Sequence, residues 1–199
     1  SEVLVIADRT ADPQVIASDL LSQAEHDRDS QVILITTSRE IVVSVQDALK
    51  EQLALLPRRE IAEAALSRSF IVTADSLEDA ISFSNEYAPE HLILAFENAR
   101  EFCSQVTSAG SVFVGKWTPE VAGDYSSGTN HTLPTSGAAR AFSGVSLDSY
   151  VKKLTFQEIS EQGLSELSED LQLLAREEDL EGHANAVTTR MNLVDREQK

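Results

Sequence analysis

Five short apolar runs separated by helical stretches constrain this chain more than any other feature. The runs fall at 2–7, 31–36, 70–73, 92–95 and 111–115. Segments this short and continuous fit strands buried on both faces, as in a parallel sheet covered by helices. The helix signals between them are specific. Asp12-Pro13 supplies an N-cap and a proline at the first helical position, opening a helix over about 14–25. Thr37 with Glu40 resembles a capping box for a helix to about residue 55, which Pro57 ends before a further helix over 58–68. Ser76 and Asp79 read as the capping pair of a helix to about residue 87, and 98–106 reads as another. Strands alternating with helices predict an α/β fold with a doubly wound, mainly parallel sheet, an incomplete Rossmann-like arrangement. After about Ser146 the pattern turns to helices alone, at 147–153, 164–177 and 181–194. The expected organisation is an α/β domain over 1–145 and a small helical C-terminal domain over 146–199.

Charge and composition narrow the function classes. A formal net charge of -17 opposes nonspecific nucleic-acid binding, whose affinity comes from Lys and Arg neutralising phosphates. One cysteine, Cys103, excludes an internal disulfide and fits a reducing compartment. No apolar run reaches the roughly 18 residues of a membrane helix, and no signal-like segment opens the chain. A cytoplasmic protein with no membrane or nucleic-acid partner is expected. There is no G-x-G-x-x-G, P-loop or G-x-S-x-G, so the chain shows no standard dinucleotide or phosphate cradle of its own.

The stretch 117–135, WTPEVAGDYSSGTNHTLPT, carries no run that reads as helix or strand. A loop of that length in a compact domain is functional or disordered. Trp117, Tyr125 and a low charge density set it apart from a disordered tract. It follows the strand at 111–115, and doubly wound sheets bind ligands beyond the carboxyl ends of their strands. Asp124 and His131 therefore become candidates.

The chain has four histidines, His26, His91, His131 and His183, each beside polar or acidic residues. Gln23 and His26 are spaced i, i+3, which puts them on one side of a helix end. Imidazole nitrogens with a carboxylate and an amide oxygen suit zinc or a similar divalent ion, though a lone histidine is more often an ordinary surface or core residue and the spacing alone is a weak signal. Glu90 and His91 adjoin in a turn before a strand, where they could form an acid–base pair or simply an exposed turn.

Several blocks together carry a family resemblance: Ser1-Glu2-Val3-Leu4-Val5-Ile6-Ala7-Asp8, Asp19-Leu20-Leu21-Ser22-Gln23-Ala24-Glu25-His26, Ala88-Pro89-Glu90-His91-Leu92, Ser108-Ala109-Gly110-Ser111-Val112-Phe113, the run 122–135 (AGDYSSGTNHTLPT) and His183-Ala184-Asn185-Ala186-Val187-Thr188-Thr189-Arg190. In this order they resemble histidinol dehydrogenase from end to end. The resemblance implies a zinc enzyme that oxidises L-histidinol to L-histidine through the aldehyde with two NAD+, at the end of histidine biosynthesis. It implies Gln23, His26, Asp124 and His183 as zinc ligands and Glu90 and His91 as the acid–base pair. Ser1, His131 and Glu178 match substrate contacts. It further implies a homodimer in which His183 completes the site of the other subunit. Members of the family are much longer, so the chain is expected to be a C-terminal portion, with NAD+ held mostly by an N-terminal half. Two alternatives stay open: a catalytically silent zinc-binding or dimerisation module, and a related dehydrogenase for another polar alcohol.

Overall fold

A computed structural model of the chain describes residues 1–197. It divides into two compact units, Ser1–Val151 and Lys152–Lys199, a little beyond the change of pattern at 145/146.

The first unit is built on five strands: β1 (Glu2–Ala7), β2 (Gln31–Thr36), β3 (Phe70–Thr73), β4 (His91–Ala95) and β5 (Ser111–Val114). All pair in parallel, in the order β3-β2-β1-β4-β5. Helices α1 (Pro13–Ala24), α2 (Arg39–Leu53), α3 (Arg59–Leu66), α4 (Leu77–Tyr87), α5 (Ala99–Phe102) and α6 (Glu120–Tyr125) complete it. Successive strand residues face opposite sides of the sheet. Val3, Val5, Val32 and Leu34 therefore share a core with Ile16, Leu20, Ile41 and Val45 of α1 and α2. Leu4, Ile6, Ile33 and Ile35 share the other with Ala80 and Ile81 of α4 and Ala99 of α5. Burying each large aliphatic side chain contributes roughly 1.5–3 kcal/mol, which explains why strands apolar on both faces lie at the centre of the sheet.

Local signals behave unevenly. Asp12 caps α1 through a 2.8 Å bond from the Gln14 amide, with Pro13 at the first helical position. The Ser76 hydroxyl accepts from the Asp79 amide at 3.1 Å, as its spacing predicts. The capping box at Thr37 and Glu40 does not form. The N-cap of α2 is Ser38, without a side-chain cap bond, and its amide donates instead to the Thr36 hydroxyl at 3.1 Å. The helix expected over 147–153 shrinks to a 3-10 turn, Leu147–Tyr150, in which Ser146 and Ser149 cap each other. Leu147 and Tyr150 are exposed, so no apolar stripe is buried to carry the helix further.

The second unit contains α7 (Glu161–Glu177) and α8 (Glu181–Glu197), packed against each other. Asp179, with φ 59, turns the chain between them. Among the described residues no helix is long and apolar enough to cross a membrane.

Candidate active site

The acid–base candidates arise from a sharp turn at the amino edge of the sheet. Ala88 ends α4 in a left-handed conformation, φ 57, and Pro89 and Glu90 bring the chain into β4, whose first residue is His91. The register places His91 between Val3 of β1 and Ser111 of β5. Glu90 and His91 therefore lie at the amino ends of the strands, opposite the carboxyl ends to which the sheet rule points.

The segment after β5 folds back to reach them. Its residues 120–125 are helical, so Asp124 sits on α6 and not in an unstructured loop. The Ala122 amide bonds to the Pro119 carbonyl at 3.0 Å, starting the turn. Gly123 then lies flat on Phe113 of β5, where a Cβ would stand 2.8 Å from the ring. Farther along, the Ser136 amide donates to Glu2 Oε1 at 3.0 Å.

His91 is held with one nitrogen committed and the other free. Nδ1 lies 3.2 Å from the Glu2 carbonyl oxygen, which only accepts, so Nδ1 carries the proton. Nε2 is buried and has no partner among the described residues. Around Nδ1 stand Glu90 Oε2 at 3.9 Å and Glu120 Oε1 at 3.8 Å. These residues are nearly sealed from solvent: His91 is 5% exposed, Glu90 6%, Glu120 3% and Gln23 1%. Burial lowers the His91 pKa, opposed in part by the Glu90 charge. The resting imidazole is thus neutral, and neither of these contacts is an ion pair while it stays so.

The remaining candidates divide between the two units. Gln23 is in the last turn of α1, and its carbonyl accepts from the His26 amide at 3.2 Å. Its side-chain Oε1 is buried without a partner. Orphaned buried polar atoms are rare and ask for a reason. The charges of His26 and Asp124 both act on His91, so these groups share one neighbourhood. Ser1 and His131 are exposed residues of the first unit. Glu178 caps the C-terminus of α7 and His183 lies in the first turn of α8; both are exposed residues of the second unit. Among the described residues no three His, Cys, Asp or Glu side chains converge as an ion site. In the first unit the expected ligand set draws on only two residues of those types, His26 and Asp124.

Two buried carboxyls escaped the sequence reading, Asp19 and Glu120. Burial pushes Asp19 up to about 6. Burial first, then the charges of Asp124, Glu90 and Asp19, push Glu120 up to about 8. The one available signal was spacing: Asp19 precedes Gln23, and Glu120 precedes Asp124, by one helical turn.

These shifts predict a pH dependence for the metal-free chain. A carboxyl raised in the folded state keeps a proton that the unfolded chain releases. Its stabilisation is full below the ordinary carboxylate range and is lost as pH rises through the folded values, here about 6 and then about 8. With a chelator present, stability should fall by on the order of a few kcal/mol across that window, and Glu120→Gln should flatten the fall. Thermal melts over the same pH range check this; a melting temperature that rises toward pH 8 would contradict it.

Comparison with known proteins identifies the family. The family model described as histidinol dehydrogenase matches residues 1–191. Histidinol dehydrogenase of Bacteroides thetaiotaomicron is 53% identical over 192 residues, covering 96% of this chain and 45% of the relative. That of Xylella fastidiosa is 53% identical over 194 residues, covering 98% and 45%. The crystal structure of histidinol dehydrogenase from Elizabethkingia anophelis superposes with a TM-score of 0.93 at 52% identity, over 98% of this chain and 45% of that one. The chain thus spans about half the length of the curated relatives it matches. On the family match and these identities, the chain belongs to the histidinol dehydrogenase family.

Proposed function

We propose that this chain forms the metal- and substrate-binding part of an L-histidinol dehydrogenase, oxidising L-histidinol to L-histidine through the aldehyde in the last steps of histidine biosynthesis. The observation that carries the reading is His91, a buried neutral imidazole whose Nε2 has no partner among the described residues and whose neighbour is Glu90. A base nitrogen kept dry and unpaired is poised to accept a proton from a substrate hydroxyl.

The donor set fits zinc: Gln23, His26 and Asp124, joined across a homodimer by the partner subunit's His183. The orphaned Gln23 Oε1 is the feature of this chain that suits such an ion. Bound there, zinc would anchor the imidazole and amine of the substrate and so fix its carbinol carbon. Two molecules of NAD+ would supply the hydride acceptors, one for each oxidation.

The proton steps belong to the protein. His91 Nε2 takes the hydroxyl proton as a hydride leaves the carbinol carbon, giving the aldehyde. Glu90 then takes a proton from water as its oxygen adds to the aldehyde carbon. His91, having released its first proton, takes another from the hydrated aldehyde as the second hydride departs. The product is the carboxylate. Ser1, His131 and Glu178 would contact substrate, with Glu178 suited to its ammonium group.

The test is zinc content with a calorimetric titration of L-histidinol, with and without NAD+. Zinc-dependent binding of histidinol supports the reading; a zinc-loaded chain indifferent to histidinol overturns it. Gln23→Ala should weaken zinc binding by at least about tenfold, since even partners behind the ligands are worth that much. Competition with a chromogenic chelator measures it.

A further inference from the structure

We infer, on the reading of Glu90 and His91 as the acid–base pair and of His131 as a substrate contact, that Glu2 is a positioning residue. Its carboxylate ties the loop that carries His131 to the start of β1, the same point from which its backbone holds Glu90 and His91.

Three hydrogen bonds meet at this one residue. The Glu2 amide donates to Glu90 Oε2 at 3.2 Å. The Glu2 carbonyl accepts from His91 Nδ1 at 3.2 Å. Its side-chain Oε1 accepts from the Ser136 amide at 3.0 Å, across 134 positions of the chain. Ser1, the expected substrate contact beside it, is fixed as well, since its carbonyl accepts from the Gln31 amide at 3.0 Å. Glu2 is the first residue of β1, so its backbone groups that face β4 fall at the amino edge, where Glu90 and His91 enter that strand. The side chain is the part left to reach outward, and it reaches the loop.

The segment it holds has reason to need holding. Ser136 and Gly137 are the central residues of a tight turn, closed by the Ala138 amide on the Thr135 carbonyl at 3.0 Å. Both have positive φ, 56 and 75. Glycine takes that conformation freely, and serine does so rarely. A carboxylate that accepts from the amide of the strained residue favours the strained form, and hydrogen bonds to an ionised acceptor are the stronger kind. Other anchors of the segment lead elsewhere. The Val145 amide donates to the Thr132 carbonyl at 2.9 Å, within the segment, and Arg140 donates to the Glu86 carbonyl of α4. Neither connects His131 to the strand that sets Glu90 and His91. The carboxylate also does more than fill space, since its Oε2 is enclosed without a hydrogen-bond partner among the described residues. Enclosing such an oxygen is costly, and a residue present for packing alone would not need one.

The test is Glu2→Ala beside Glu2→Gln, both of which keep the backbone bonds to Glu90 and His91. Glutamine retains a side-chain oxygen for the Ser136 amide, and alanine does not. Hydrogen exchange at Ser136 should quicken about tenfold in Glu2→Ala and stay within about threefold of wild type in Glu2→Gln. In zinc-loaded protein titrated with L-histidinol, Glu2→Ala should bind histidinol about tenfold more weakly at unchanged zinc affinity, and Glu2→Gln should restore most of the loss. In a His131→Ala background Glu2→Ala should cost less than about a further twofold, because the tether acts through His131. Full additivity there overturns the inference, as does an unchanged Ser136 exchange rate. A loss of zinc affinity as large as that of histidinol also overturns it, marking Glu2 as a general support of the fold. Should Glu2→Ala fail to fold, Glu2→Val removes the same oxygen and keeps a strand-forming residue. Exchange at Ser136 needs neither zinc nor histidinol, so the two readings fail separately. Protein that never binds histidinol loses the proposed function, while a Ser136 amide freed in Glu2→Ala keeps the tether.

Discussion

Gly110→Ala is expected to cost about 3 kcal/mol of stability, the upper end of what overpacking a tight site costs. The added Cβ would stand 2.5 Å from the Glu90 carbonyl oxygen and 3.2 Å from Leu133 Cβ. The first obstacle is backbone, and it is fixed from two sides. The Glu90 carbonyl accepts from the Ser111 amide at 2.9 Å, and the Pro89 carbonyl accepts from Gly110 itself at 2.9 Å. Relief must therefore come from moving the start of β5 or the turn that carries Glu90 and His91. Either displacement reaches the site, so stability and activity should fall together. Gly123→Ala meets side chains, not backbone: the Phe113 ring at 2.8 Å, which can tilt, and Thr129 Oγ1 at an ordinary 3.4 Å, so it should cost less. Gly182→Ala is the control: nothing lies within 4 Å of its would-be Cβ, and alanine is the better helix former. Denaturant midpoints at a constant slope give the three differences. A Gly110→Ala protein that unfolds with the wild type would show that the turn is not held where the hydrogen bonds hold it.

The same contacts explain what could be read from the sequence alone. The central strands β1, β2 and β4 were legible because they are buried on both faces and so write themselves as unbroken apolar runs, and the half-exposed edge strands β3 and β5 are short apolar runs of the same kind. Their alternation with helices left few topologies open. Helix α6 was not legible. Its six residues are too few to show a period, and what stabilises them is Gly123 lying on Phe113, a contact between residues from different elements. The rule for doubly wound sheets pointed to the carboxyl ends of the strands. It could not anticipate that the chain after β5 returns across that strand to the amino edge. Glu120 and Asp19 were invisible for another reason. In a chain with 33 acidic residues, a one-turn spacing from Gln23 or Asp124 is too common to single out two of them, and what sets them apart is burial. The roles of Gln23, His26, Glu178 and His183 entered through the family motifs, since a lone histidine and a lone amide carry little signal by spacing.

His91→Asn should reduce NADH formation from L-histidinol by about a thousandfold, within the range lost when a positioned general base is removed. Asparagine is the informative replacement. Its amide can still donate to the Glu2 carbonyl, which His91 Nδ1 meets at 3.2 Å, so that carbonyl is not left unpaired. What disappears is Nε2, the nitrogen that meets no other group of the described chain. Zinc and histidinol binding should stay within a few-fold of wild type, placing the loss in kcat and not in KM. Glu90→Gln supplies the contrast. In the proposed mechanism its carboxylate is required only for water to add to the aldehyde, so the first hydride should still leave at near the normal rate. NADH formed per histidinol consumed should then drop from two toward one, with aldehyde accumulating. In the same mechanism His91 serves both oxidations, so His91→Asn should slow them alike and leave the ratio at two. Rapid-quench measurement of aldehyde beside NADH separates these outcomes. Equal ratios in the two variants would mean that Glu90 and His91 act as one unit, and their separate assignments would fall.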